Sequence, residues 1–275
     1  MNDSKYTVIT SEENRWLPNF RDHWVSRHLI RALIIRNLNV RYRNTILGPT
    51  WIILQPVLQM AVYTIIFGIW ARIDSGGIPF AVHLMTGLIL VIFTTRIIGE
   101  SSTLIRSYQP IIQKVYVPKL ALIYVVVGSA LFDFILSIFI MAFFAMLFGV
   151  YPGENLHFAL IAILLTILLS ISFAIWFAAL GIRYGDVSFI VPVVGMLITY
   201  LSPMIYPITM VPDQYLDIYA LNPMVGIMTF WRWGYMGLDP FYPWMLAVSI
   251  IQIIVFTVTG LIYFSRTEKT FNDFL

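Results

Sequence analysis

Apolar residues along this chain gather into runs of about 20, the length that crosses roughly 30 Å of hydrocarbon. Six runs stand out, at about 50–70, 81–103, 120–148, 158–181, 187–206 and 243–264. The third is longer than a bilayer needs, which predicts a tilt or an extension into water. Before the first run, residues 21–43 follow a helical period. Leu29, Ile30, Leu33, Ile34 and Val40 share one broad face, and Arg21, Arg27, His28 and Arg31 lie opposite. Trp24, Ile35 and Leu38 interrupt that pattern. A basic amphipathic helix of this kind lies in the headgroup plane; a plain positively charged anchor is the simpler reading. Residues 207–242 are apolar and aromatic but broken by Pro207, Pro212, Pro223, Pro240 and Pro243. Asn222-Pro223 reads as N-cap and first residue of a helix running to about Tyr235. Such a helix is roughly 20 Å long, too short to cross. Trp231, Trp233, Tyr235, Phe241, Tyr242 and Trp244 suit a membrane interface. Two short re-entrant helices are expected here, with an ordinary loop on the headgroups as the alternative. The fold class is therefore an all-α membrane protein with six transmembrane helices, an N-terminal amphipathic interface helix, and short re-entrant helices between spans five and six.

Composition agrees. The chain is 59% hydrophobic and 11% charged, with a mean hydropathy of +0.83. A soluble domain would carry about a quarter charged residues. Cysteine is absent, which excludes disulfides and thiolate chemistry. The polar N-terminus has no apolar core of a signal peptide, so none is expected. Lys and Arg fall almost entirely on one side of the predicted spans. Lys5, Arg15, Arg21, Arg27, Arg31, Arg36, Arg41 and Arg43 precede span one. Arg96, Arg106, Lys114 and Lys119 lie between spans two and three, Arg183 between four and five, and Arg266 and Lys269 after span six. Only Arg72 and Arg232 fall on the other side. This asymmetry predicts both termini in the cytoplasm. It also makes the sequence pI of about 9.1 a topology signal rather than a nucleic-acid footprint.

Candidate chemistry is sparse. No lysine follows a glycine, so there is no phosphate-binding P-loop, and no HExxH or GxSxG occurs. The histidines (His23, His28, His83, His157) are scattered, and no metal site is expected. Asp133 lies midway along span three, with Ser129 and Ser137 four residues to either side. A carboxylate at that depth is either functional, as in proton coupling, or held by a neighbouring helix. Arg96 and Glu100 stand four apart and read as a local ion pair or as partners of a neighbouring helix. In span one Trp51, Gln55, Gln59 and Tyr63 stack on one face at every fourth residue. In span five Pro192, Gly195, Thr199, Ser202 and Tyr206 fall within about a quarter of the helix circumference. Amides, hydroxyls and rings suit a sugar-bearing substrate; helix–helix packing also concentrates small and polar residues. Periodicity leaves both readings open.

The stretch 36–68, "RNLNVRYRNTILGPTWIILQPVLQMAVYTIIFG", resembles permease subunits of ABC-type polysaccharide exporters. These comprise the O-antigen, capsule and teichoic-acid exporters of the type-2 ABC exporter superfamily. The resemblance rests on Arg41-Tyr42-Arg43, Leu47-Gly48-Pro49-Thr50-Trp51 and Gln55-Pro56. "QPIIQKVYVPK" (109–119), "IRYGDV" (182–187) and "SPMIYPITMVP…LNPM" (202–224) extend it, in order, over nearly the whole chain. It implies a homodimeric permease of the bacterial inner membrane, driven by two separate cytoplasmic ATPase subunits. The chain would hold no cofactor, with ATP and Mg bound by the partner, and would not be an enzyme. It divides the chain into a cytoplasmic segment 1–49, a transmembrane domain 50–264 and a cytoplasmic tail 265–275. A coupling helix at about 106–118 would meet the ATPase through Arg106, Tyr108, Gln113, Lys114 and Tyr116. The region 207–236 would form an outer gate with Met224, Trp231 and Trp233. Spans one and five would line the substrate channel with Trp51, Gln55, Gln59, Tyr63, Thr199, Ser202 and Tyr206. Arg36, Arg41 and Arg43 would meet the phosphate of a lipid-linked polysaccharide. Alternatives are export of another amphiphile (teichoic acid, capsule, lipid or drug), an integral-membrane enzyme acting on lipid-linked sugars, or a proton-coupled carrier. The absence of a carboxylate cluster such as DxD argues against the enzyme, and the lack of an internal repeat against the carrier.

Overall fold

The computed structural model describes residues 26–43, 45–115, 117–237 and 241–269. Arg21, Trp24 and Tyr116, which figure in the expectations above, lie outside the described residues. Every described element is helical. In chain order the main helices are α1 (Arg27–Arg43), α2 (Trp51–Tyr63), α3 (Phe80–Ser102), α4 (Leu104–Ile112), α5 (Ala121–Leu147), α6 (Leu156–Arg183), α7 (Val187–Tyr200), α8 (Leu216–Tyr219), α9 (Pro223–Met236) and α10 (Pro243–Lys269). A 3₁₀ turn, Gly48–Thr50, leads into α2, and a π-helical stretch, Thr64–Trp70, continues it. Gly48 takes a φ of 55° at that turn, where a side chain would be strained.

Among the described residues, five segments are long and apolar enough to cross a membrane: Gly48–Trp70, Phe80–Ser102, Ala121–Leu147, Leu156–Arg183 and Pro243–Glu268. The remaining predicted span, 187–206, departs from expectation. Its helix, α7, ends at Tyr200 after 14 residues, about 21 Å of rise. Pro203 has no N–H to donate, and its ring would crowd the carbonyl of Thr199, which favours an end before it, although the same helix runs on through Pro192. Residues 201–206 turn instead, and two single 3₁₀ turns (Ile208–Met210, Asp213–Tyr215) lead to the one-turn α8.

The centre of the bundle is α3, whose core window is 83% buried. It packs against α5, α6, α7 and α2, while α6 also packs on α9 and α10. Helix α9 starts as the Asn222-Pro223 pair predicts. The Asn222 side chain accepts from the Met224 N–H at 3.0 Å, and Gly237, at φ 70°, closes the other end. Its surroundings differ from the interfacial expectation: Trp231 is 2% exposed and Tyr235 3%. The helix is wedged between two others through glycines. A Cβ on Gly226 would sit 2.4 Å from the Met245 carbonyl oxygen, and one on Gly234 would sit 2.6 Å from the Ala159 backbone nitrogen. Small residues permit this close approach. Trp233 is half-buried and stacks on Phe241 and Phe230. Arg232, read above only as an outer-side charge, is fully buried. It donates to Thr86 Oγ1 and to the carbonyls of His83 and Met204, tying α9 to α3 and to the turn after α7.

Candidate functional site

Helix α1 does not lie free of the bundle. Leu33 is buried, and Leu29, Ile30 and Ile34 pack on the core. Ile34 presses on Gly128 of α5, where a Cβ would lie 2.6 Å from its Cδ1. Val40, assigned to the same apolar face, is 68% exposed. Arg27, Arg31, Arg36, Arg41 and Arg43 are exposed. Asn37 Nδ2 donates to the Tyr108 hydroxyl at 2.6 Å, joining α1 to α4. Burial raises the pKa of Tyr108 above its ordinary value.

At its last turn α1 reaches a charge cluster built from three helices. Arg96 on α3 binds Glu100, one turn on, at 2.8 Å through Nε, and binds Asp133 on α5 through Nη1. Arg41 on α1 approaches Glu100 at 3.5 Å and Asp133 at 3.6 Å. The Tyr42 hydroxyl donates to Asp133 Oδ2 at 2.8 Å. Burial first, and the bond to Asp133 next, push the Tyr42 pKa up to about 12, so the hydroxyl keeps its proton at any physiological pH. Two cations face two anions, so the cluster is neutral. Arg96 and Asp133 are its buried half, with side chains 12% and 15% exposed, while Arg41 is 41% exposed. A buried pair needs its remaining valences filled by hydrogen bonds, and Tyr42 fills one. Of the alternatives for Asp133, the bond to a neighbouring helix is observed.

Two cavities flank this cluster, and Arg41 and Arg96 line both. The first, about 420 Å³, lies among α1, α3, α4 and α5, with Arg36, Asn37, Ser107 and Tyr108 on its walls. The second, about 350 Å³, lies among the end of α1, α2, α3 and α5, with Trp51, Gln55, Gln59, Thr95, Asp133 and Ser137. The structure thus brings together Arg36 with Arg41, and Trp51 with Gln55 and Gln59. Arg43 and Tyr63 line neither cavity.

The other predicted site residues lie apart. Thr199 donates to its own helix at Gly195 O, 2.8 Å. Ser202 is buried and bonds the Asn222 amide at 3.0 Å. The Tyr206 hydroxyl donates to Tyr200 O at 3.0 Å and accepts from Tyr219 at 3.1 Å. Helix α4, expected over about 106–118, spans Leu104–Ile112 and begins one residue after α3 ends. Arg106, Gln113 and Lys114 are exposed, whereas Tyr108 is 7% exposed. Met224 and Trp231 are buried, and the Trp231 ring N–H donates to Thr86 O at 3.1 Å. Sequence reasoning named Tyr42 only as the middle of the Arg41-Tyr42-Arg43 motif, with no role of its own, and did not single out Asn37.

Several curated proteins are similar over most of this chain. The O-antigen export system permease protein RfbA of Myxococcus xanthus is 28% identical over 256 residues, covering 90% of this chain and 96% of the relative. RfbA of Klebsiella pneumoniae is 25% identical over 254 residues, covering 90% and 95%. The polysialic acid transport protein KpsM of Escherichia coli is 25% identical over 212 residues, covering 74% and 80%. Apolar helices of spanning length and these relatives make the chain a multi-pass membrane transport protein. Residues 28–234, from α1 through the buried α9, match the family model of the ABC-2 type transporter, and the chain belongs to that family.

Proposed function

We propose that this chain is the channel-forming permease subunit of an ATP-driven exporter that moves a lipid-linked polysaccharide out of the cytoplasm across the bacterial inner membrane. The observation that carries this reading is the second cavity. It joins the amide and indole groups of α2 to Arg41, at the end of the basic helix α1, and to Arg96. Sugar hydroxyls need hydrogen-bonding partners, pyranose faces need flat rings, and a lipid's linking phosphate needs arginine. The relatives' names, which refer to O-antigen and polysialic acid, favour a polysaccharide over a simple lipid or drug.

In this reading α7 and the turns at 201–206 together make the fifth of six crossings, and both termini are cytoplasmic. Two copies of the chain enclose the channel. Helix α2 supports this, since only 17% of its spanning window is buried within one copy and Trp51 and Gln55 are exposed. Two ATPase subunits supply ATP and Mg and meet α4, whose Arg106 is exposed, together with Gln113 and Lys114 beyond its end. Residues 207–236 form the outer gate, with Thr199, Ser202 and Tyr206 below it. Arg36 and Arg41 bind the linking phosphate, with Arg43 beside them at the lipid surface.

The test is export in cells whose own permease is deleted. Arg41→Ala should cut surface polysaccharide at least about tenfold, the scale of one lost charge-assisted contact, while membrane insertion and co-purification with the ATPase persist. Normal export by this variant removes Arg41 from the site. If no ATPase co-purifies with the wild type, the ATP-driven reading itself fails.

A further inference from the structure

Two oxygens on the wall residues of the second cavity are unsatisfied. Gln59 Oε1 and Asp133 Oδ1 are shielded from solvent and have no hydrogen-bond partner among the described residues. Buried acceptors without a donor are uncommon and costly. The reason for Asp133 is visible: Arg96 and Tyr42 both bind Oδ2, which leaves Oδ1 unused. The Gln59 amide ends in a soft, roughly two-fold torsion and is free to turn its oxygen, while Asp133 is held through Oδ2, and both residues line the cavity. Their neighbour Trp51 is 41% exposed and offers its ring at the same wall.

The two cavities therefore differ in chemistry on either side of the Arg41–Arg96 wall. The first adds donors, Arg36 and the Asn37 amide, and suits an anion. The second holds unfilled acceptors beside an indole and suits a neutral donor with several hydroxyls. Its volume of about 350 Å³ falls in the ordinary range of small-molecule sites, roughly 300–1,000 Å³.

We propose that the second cavity is a saccharide subsite for the sugar next to the lipid's phosphate, with Asp133 and Gln59 accepting its hydroxyls and Trp51 covering one face. This rests on the reading of the chain as an exporter of lipid-linked polysaccharide. Asp133 then serves recognition rather than proton movement: its paired oxygen fixes the carboxylate and its free oxygen reads the sugar. The shared arginines place the phosphate and that sugar one contact apart, so the lipid linkage and the first sugar are read together while the rest of the polymer is not.

The test uses the full chain in neutral-lipid nanodiscs, with bound lipid counted by native mass spectrometry. The probes are a short polyprenyl diphosphate and the same diphosphate carrying one glucose, galactose or N-acetylglucosamine. Wild type should bind at least one sugar-bearing probe about tenfold more tightly than the bare diphosphate, the scale of a hydrogen bond to a charged group. Gln59→Leu and Asp133→Asn should each reduce that ratio toward one. Gln59→Leu removes no member of the ion cluster, so a fall in its ratio reports the lost acceptor rather than a broken cluster. A wild-type ratio of one for every sugar, or an unchanged ratio in Gln59→Leu, overturns the subsite while leaving the exporter reading in place. Wild type that binds none of the probes overturns both.

Discussion

Arg96 holds two carboxylates at once, one on its own helix and one across the bundle. Removing one partner of a buried pair strands the other, which costs about 3–5 kcal/mol, whereas replacing both with apolar groups is often neutral. Arg96→Met should therefore lower the midpoint of thermal unfolding in detergent sharply, since Asp133 keeps only Tyr42 and a guanidinium at 3.6 Å. The double variant Arg96→Met, Asp133→Leu should recover most of the loss. A double variant as unstable as the single would mean that the cluster stabilises the bundle outright rather than merely neutralising itself. The sequence marked Asp133 by its depth in an apolar run and Arg96 with Glu100 by their spacing. It could not join them, because 37 residues separate Arg96 from Asp133 and 91 separate Tyr42 from it.

Among the elements, α9 shows how much of a helix is local. Its start, its stop and its inability to span were legible, since caps and length depend only on neighbouring residues. Its burial was not, because an aromatic run suits an interface and a core equally. The glycines settle the matter in space. Gly234→Ala would place a methyl 2.6 Å from the Ala159 backbone nitrogen, and backbone cannot yield as a side chain does. Overpacking of this kind costs about 1–3 kcal/mol. The variant should unfold at lower temperature, with faster hydrogen exchange across α9 than across α5. Gly237→Asn, at a left-handed position with open space around it, should change little. Helix α7 teaches the converse. Hydropathy carried the fifth run to 206, but the helix ends at Tyr200, three residues short of Pro203, and hydropathy does not register a proline's missing donor.

For the whole molecule, the proposed orientation has a direct reading because the chain has no cysteine. Lys114 and Glu154 are exposed, beyond α4 and between α5 and α6 respectively. A membrane-impermeant maleimide should label Glu154→Cys in spheroplasts with an intact inner membrane, and Lys114→Cys only after permeabilisation. The reverse pattern would invert the molecule. Composition and run length alone established an all-helical membrane chain, because burying apolar side chains in lipid is a one-dimensional property of sequence. The spacing of Trp51, Gln55 and Gln59 likewise put them on one face, because helical period is local. Only the tertiary structure decided that this face shares a cavity with Asp133 and two arginines, that Ser202 is occupied inside the bundle, and that α9 is core. Those outcomes depend on which helices meet and on how closely glycine lets them approach, and neither distance is written along the chain.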